Sequence, residues 1–254
     1  MTLFSLLTPQ DILLAALVAF LAGWVKGMVG FAMPMVFVSG LSMFLPPDLA
    51  IAGLILPTLA TNSVQALREG VPAAVSAIKQ FRIYLIVGLV FLLLGAQFVS
   101  VVPARTFLLI IGVAVTFFAL IQVLGVRLSL SGPSVRIEAT IGVIAGFVGG
   151  MSGIWGPPTV AYLTALNTPK ASQMRLQGVI YGLGAVALML AHLGSGILRA
   201  ETAPFSAVLI APALAGMWGG LRLQSRIDQE VFRKVTLLVL LVAGVNLLRR
   251  SLMG

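Results

Sequence analysis

Long uncharged, apolar runs separated by short charged stretches form most of the chain. Four of these runs, at 83–104, 106–126, 176–198 and 202–221, have the length of roughly 20 residues that crosses a bilayer core. The run 49–67, with Pro57 inside it, predicts a fifth span, and the run 235–248, extended through Val231, predicts a sixth. The pattern therefore predicts an all-α integral membrane protein.

Two longer runs do not fit single spans. One covers 12–47 and is interrupted only by Lys26, and the other covers 139–169. Each is too long for one span and too short for two complete ones. If each breaks at its glycines into two segments of about 14 residues, each segment is only about 21 Å long. With these short helices the sequence predicts about 8 to 10 membrane segments.

The two long runs share one glycine and proline spacing. The first carries G-x3-G-x2-G-x3-P, and the second repeats it 123 positions later. The matched residues are Gly23, Gly27, Gly30 and Pro34 in the first run and Gly146, Gly150, Gly153 and Pro157 in the second. A spacing that recurs once in each half indicates duplication. We therefore predict a first transmembrane repeat over 1–128 and a second over 129–254, which together form one structural unit.

The basic residues predict the orientation. Most of the sixteen Lys and Arg residues follow odd-numbered segments, which places those loops in the cytoplasm and both termini outside it. Each half then contains an odd number of crossings, so the two repeats have inverted topology. Inverted repeats with Gly/Pro-broken helices at matching positions are typical of secondary transporters that use alternating access, with a binding site near the bilayer midplane.

Composition agrees with a membrane protein and excludes several kinds of site. Hydrophobic residues make up 59% of the chain, charged residues 9%, and the mean hydropathy is +1.11. The chain has no cysteine and one histidine, so we expect no metal site and no cofactor. The net charge of +9 is scattered between apolar segments, which argues against nucleic acid as a partner. The expected partners are the lipid bilayer and a small anion, and the sequence leaves a homo-oligomer open.

The broken helices predict an anion site. Pro34 and Pro157 suit the first turn of a new helix, where no backbone N–H is needed. The positive ends and free N–H groups of two such helices would face one pocket. The candidate substrate-binding residues are Lys26, Gly27, Gly30, Phe31, Pro34, Asn62, Gly150, Ser152, Gly153, Trp155, Pro157, Arg175 and Gln177.

At these residues the chain resembles the sulfite exporter TauE/SafE family of bacterial inner-membrane permeases. The resemblance rests on "GWVKGMVGFAMP" and "GFVGGMSGIWGP", the glycine-rich element near the start of each half. It implies transport of sulfite, sulfonates or related organosulfur anions across the inner membrane, and no enzymatic activity. Because an inside-negative potential drives anions outward by about 2.3 kcal/mol per charge per 100 mV, export needs no coupling ion.

Several alternatives remain open at this point. The glycines can serve close helix packing, Lys26 can extend to the cytoplasmic interface, and Asn62 and Gln65 can bond to a neighbouring helix. Ser152 and His192 resemble the dyad of an intramembrane serine protease, and an anion channel has no sequence signature that separates it from a transporter. His192 is also a candidate proton relay. All seven acidic residues lie at segment ends, so we expect no buried carboxylate for proton coupling.

Overall fold

The computed structural model describes residues 7–41, 43–97, 104–126, 129–152, 156–194 and 198–253. In these ranges the chain is helical and has no strand. The helices are α1 (Pro9–Val29), α2 (Met33–Leu41), α3 (Pro47–Leu67), α4 (Val71–Gln80), α5 (Arg82–Gln97), α6 (Ala104–Val123), α7 (Val135–Ser152), α8 (Gly156–Ala165), α9 (Lys170–Gly194), α10 (Ala203–Val208), α11 (Ile210–Arg226) and α12 (Gln229–Met253).

Four segments of the described chain are long and apolar enough to cross a membrane. They are Pro9–Val29, Leu49–Leu67, Ala203–Arg226 and Gln229–Leu252. A fifth arises if α4 and α5, which meet at a bend of 74°, form one broken span. The all-helical membrane class predicted from the sequence is confirmed. The inverted topology and the count of 8 to 10 segments stay predictions.

The chain folds into two compact units, and each unit draws on both sequence halves. The first unit consists of residues 1–74 and 174–228, and the second of 75–173 and 229–254. Within the first unit, α1 packs along α11, and α3 packs against α2, α10 and α11. Within the second, α5 packs along α7, and α6 along α12, while α8 packs against α6, α7 and α12.

The close helix pairs depend on glycine. A side chain at Gly23 would overlap the carbonyl oxygen of Ala213 on α11, and one at Gly216 would overlap that of Phe20 on α1. The pair α5 and α7 has the same arrangement, because a side chain at Gly146 would overlap the carbonyl oxygen of Gly88. Small residues that let helix backbones approach are the usual means of packing in lipid. The packing interpretation is therefore confirmed for Gly23 and Gly146.

This packing corrects the predicted lengths of the short segments. α1 has 21 residues and α7 has 18, where the sequence suggested two segments of about 14 in each long run. α1 begins earlier than expected because Thr8 caps it, accepting the N–H of Asp11 in a capping box. It continues through Gly23 and Gly27 because those residues pack against α11 and do not break the helix. Only the second helix of each pair is short.

Pro57 leaves one carbonyl of α3 without its helical donor, and α10 supplies a replacement. Proline has no N–H, so the carbonyl of Gly53, four residues earlier, loses its normal partner. The hydroxyl of Ser206 donates to that oxygen at 3.3 Å and accepts the N–H of Leu56 at 3.1 Å. A proline inside a span is tolerated when a neighbouring helix satisfies the backbone in this way.

Candidate anion site

The first helix break lies where the glycine spacing predicts it. α1 ends at Val29, and Gly30 takes the left-handed conformation, with φ 85°, while its N–H donates to the carbonyl of Lys26 at 2.6 Å. Ala32 also has a positive φ, of 67°, and α2 then begins at Met33 with Pro34 in its first turn. Gly30 is the residue type that adopts this conformation without strain. The predicted break and the predicted position of Pro34 are confirmed.

Lys26 is buried in the last turn of α1, with 2% of its surface exposed. Its ammonium group donates a hydrogen bond to Oδ1 of Asn62 on α3. The amide nitrogen of Asn62 donates to the carbonyl of Tyr181 on α9 at 3.2 Å, which turns the amide oxygen towards the lysine. Among the described residues no carboxylate forms an ion pair with Lys26. The Lys26 amine is therefore buried against a neutral partner, with no counter-ion in the described part of the chain.

Gln65 holds the break in place. It lies three residues after Asn62 on α3 and is buried. Its amide nitrogen donates to the carbonyl of Gly30 at 3.2 Å and to that of Met174 on α9 at 2.8 Å. The carbonyl of Gly30 lies beyond the end of α1 and has no helical donor, so this bond satisfies it. Gln65 is not among the residues predicted for the site, although its spacing from Asn62 puts both residues on one face of α3.

Gln177 completes the polar cluster around the break. Its side chain is fully buried, and neither its amide nitrogen nor its amide oxygen has a partner in the described part of the chain. The amide lies directly against Gly30, because a Cβ at that glycine would overlap Oε1 of Gln177. A buried amide with both groups unpaired costs free energy of about 1 to 3 kcal/mol per group. A ligand or water at this position would offset that cost.

Together these residues offer what an oxyanion needs. When protonated, Lys26 supplies a charge and two N–H donors besides the one that bonds to Asn62, and the amide of Gln177 supplies two more donors. Burial in a low-dielectric environment strengthens each such interaction with an anion. The structure thus brings together Lys26, Gly30, Asn62 and Gln177 of the predicted site, and it adds Gln65.

Other predicted residues of the first repeat lie in different surroundings. The α-carbon of Gly27 faces α11, where a Cβ would overlap the carbonyl oxygen of Met217. Phe31 is buried and Pro34 is half-buried. Arg175, a predicted residue of the second repeat, lies near the start of α9 and forms an ion pair with Glu69, so its charge is already compensated.

The second break has the same position in its repeat. α7 ends at Ser152 and α8 begins at Gly156, each 123 positions after its counterpart in the first repeat, and Pro157 is buried in the first turn of α8. Gly153 and Trp155 lie outside the described residues. Gly150, Ser152 and His192 lie in helices, but their surroundings also fall outside the described part. Their predicted roles, including the protease dyad and the proton relay, stay predictions.

One expectation about acidic residues is wrong. Glu138, in the first turn of α7, is buried with 6% of its surface exposed. Its Oε1 accepts the backbone N–H of Tyr84 at 3.0 Å, in the first turn of α5. That N–H has no partner within α5 because it lies among the first four of the helix. The sequence did not predict this burial because Glu138 is close to a segment end and its partner is 54 residues away.

Comparison with known proteins assigns the family. The family profile described as "Sulfite exporter TauE/SafE" matches residues 15–247. The chain belongs to the TauE/SafE family. Neither a curated protein nor a solved structure gives a significant match. The match covers nearly the whole chain, both helix breaks included, and confirms the resemblance seen in the glycine elements. TauE/SafE proteins are membrane transporters of sulfur-containing anions and not enzymes, so membership supports a multi-pass membrane location and a transport role.

Proposed function

We propose that this chain is a secondary transporter that exports a small sulfur-containing anion, such as sulfite or an organosulfonate, by alternating access. Family membership supports the transporter class and the kind of cargo. The site proposed to hold the anion is the cluster at the first helix break, with Lys26 as the charged group and Gln177 as an additional donor.

The observation that carries this proposal is the burial of Lys26 without an acidic partner in the described chain. A buried ion is normally paired, because leaving water costs several kcal/mol. The partner of Lys26 in the described chain is the neutral oxygen of Asn62. An ionisable residue inside a membrane segment is by default a functional residue. We infer that the transported anion supplies the missing negative charge.

The repeat pattern supports the mechanism. Both breaks recur at the same positions of the two halves, and α2 and α8 are the short helices that follow them, with 9 and 10 residues. Broken helices at matched positions are typical of transporters with inverted repeats. We propose that the repeats are inverted, that both termini lie outside the cytoplasm, and that the inside-negative potential of the inner membrane drives export.

Replacing Lys26 by methionine tests the proposal. The variant keeps most of the length of the side chain but loses its charge, so we expect sulfite binding to weaken by about 10- to 100-fold, the usual effect of removing a hydrogen bond to a charged group. Binding is measured by thermal shift of the purified protein, and transport by sulfite counterflow in proteoliposomes. Lys79→Met is the matched control, because Lys79 is exposed on α4.

Three results would contradict the proposal. Lys26→Met could bind sulfite and sulfonates as tightly as the wild type, which would remove the lysine from the site. Flux that does not saturate with substrate, with no counterflow, would indicate a channel. Peptide cleavage that depends on Ser152 would indicate a protease.

A further inference from the structure

A cavity lies in the unit formed by residues 75–173 and 229–254. It has a volume of about 470 Å³ and lies at the C-terminal ends of α6 and α8, beside the N-terminal part of α12 and the start of α9. None of its residues belongs to the cluster around Lys26. Its volume falls in the range of roughly 300 to 1,000 Å³ that is usual for small-molecule sites.

Three buried side chains of this cavity have unsatisfied hydrogen-bonding groups. Gln122, Thr164 and Gln173 are each less than 10% exposed. The amide nitrogens of Gln122 and Gln173 and the hydroxyl of Thr164 have no partner among the described residues. The nitrogen of Gln122 is assigned by chemistry, since Arg233 donates to its Oε1 and a guanidinium cannot accept. All three groups can donate a hydrogen bond to a ligand.

The charges around the cavity also favour an anionic ligand. Its walls contain Arg233, Lys234 and Glu230, which leave one net positive charge. Arg233 donates to Oδ1 of Asn167 at 2.9 Å and to Oε1 of Gln122. Both oxygens accept from the guanidinium, so these two contacts orient it. An oriented guanidinium beside unsatisfied donors favours an oxyanion.

The rest of the wall sets the size and character of the ligand. Phe232, Leu237 and Leu238 of α12 give the cavity an apolar side. A single inorganic oxyanion would leave most of this volume empty and would not contact the apolar side chains. Since terminal amide torsions are broad, a small rotation brings the buried amides of Gln122 and Gln173 to a bound head group.

We propose that this cavity binds an organic anion that joins an oxyanion head to an apolar body. The head contacts Arg233 and the amides of Gln122 and Gln173, and the body packs against Phe232 and Leu237. Such a ligand is either a soluble organic anion or an anionic phospholipid, and both present the same chemistry to the cavity. The site is separate from the proposed transport site and does not depend on it.

Binding of octyl phosphate to the full-length protein in phosphatidylcholine nanodiscs tests this inference. We expect saturable binding by calorimetry, at least tenfold tighter than that of the neutral octyl glucoside. Thr164→Val and Gln173→Leu should each weaken it tenfold or more. Thr236→Val is the matched control, because Thr236 is also buried on α12 with an unpartnered hydroxyl but lies outside the cavity wall.

A second arm identifies the source of the anion. Phosphatidylglycerol added to the nanodiscs should displace octyl phosphate if a lipid is the natural ligand, and should leave it bound if the ligand is soluble. Either result supports the site. Lys26→Met should retain octyl phosphate binding, which separates this cavity from the transport site.

Equal binding of octyl phosphate and octyl glucoside would overturn the inference, as would no binding of octyl phosphate or phosphatidylglycerol. It would also be overturned if Thr236→Val weakened octyl phosphate binding as much as the cavity variants do. If the cavity variants do not fold, Arg233→Gln is compared with Arg249→Gln, whose arginine is exposed near the opposite end of α12. Unchanged binding in Arg233→Gln would also reject the site.

Discussion

The two helix breaks share their backbone positions but differ in chemistry. The first break lies between the end of α1 and the start of α2. The second lies 123 positions later, between the end of α7 and the start of α8. The position that carries Lys26 in the first repeat carries Gly149 in the second, and Asn62 corresponds to Ala185. In the reverse direction, Gln177 of the second repeat corresponds to Leu54 of the first. The predicted duplication is consistent with the matched helix breaks, whereas the polar side chains at the first break have no counterparts at the matching positions.

This difference shows that two helix breaks at matching positions can carry different polar side chains. The cluster at the first break combines Lys26 and Asn62 from one repeat with Gln177 from the other, all within one compact unit. Neither repeat contains the whole set of polar groups. A search for shared chemistry within a single repeat would consequently miss the cluster, whereas the backbone break is visible in both.

The largest effect should come from adding a methyl group at the first break. Gly30→Ala places a side chain in the left-handed region, at about 1 to 2 kcal/mol, and overlaps Gln177, at about 1 to 3 kcal/mol. We expect a loss of unfolding free energy of about 2 to 5 kcal/mol from these two terms, measured by thermal or denaturant unfolding in detergent.

Gly70→Ala is the matched control for that change. Gly70 has nearly the same φ, of 87°, but a Cβ there meets nothing nearer than Pro72 Cδ at 3.7 Å. Only the backbone strain should remain, so the loss should be about 1 to 2 kcal/mol. Equal losses in the two variants would show that Gln177 does not press against the break.

The next effect should come from giving Lys26 a permanent partner. Asn62→Asp places a carboxylate beside the ammonium group, so the substrate anion must approach a site that is already neutral. We expect sulfite binding to weaken by about 100-fold, or about 2.7 kcal/mol, with thermal stability unchanged or raised because the buried charge is paired.

Asn246→Asp makes the same change beside an exposed cation, since Oδ1 of Asn246 accepts from Arg249 at 3.1 Å. Sulfite binding should be unchanged in this variant. Wild-type affinity in Asn62→Asp would mean that the charge of Lys26 does not hold the anion.

The smallest effect should come from adding a methyl group where paired helices touch, and it should be equal in the two repeats. Gly23→Ala and Gly146→Ala each overlap a backbone carbonyl oxygen of the paired helix, and each should cost about 1 to 3 kcal/mol of unfolding free energy. Gly219→Ala, where a Cβ meets nothing within 4 Å on α11, should be neutral or stabilising by about 0.5 to 1 kcal/mol. Clearly unequal costs at Gly23 and Gly146 would show that the two helix pairs are not equivalent.

The sequence predicted the membrane class, the family and both helix breaks, because hydrophobic run length and glycine spacing are local signals. It did not predict the length of α1, since a glycine that packs and a glycine that breaks a helix look alike in sequence. Gly27 is helical and packs against α11, whereas Gly30 has a positive φ and lies against Gln177. The burial of Glu138 and the cavity beside α12 depend on contacts between distant segments, which a single sequence does not reveal.

The pairing of α1 with α11 also affects the order in which the helices pack during synthesis. About 180 residues separate the end of α1 from the start of α11, whereas about 40 separate α5 from α7. At roughly 5 to 20 residues per second, the ribosome needs about 10 to 40 s to deliver the partner of α1, and only a few seconds to deliver that of α5. During that interval the glycine face of α1 remains without its partner. α1 therefore waits longer for its packing partner than α5 does.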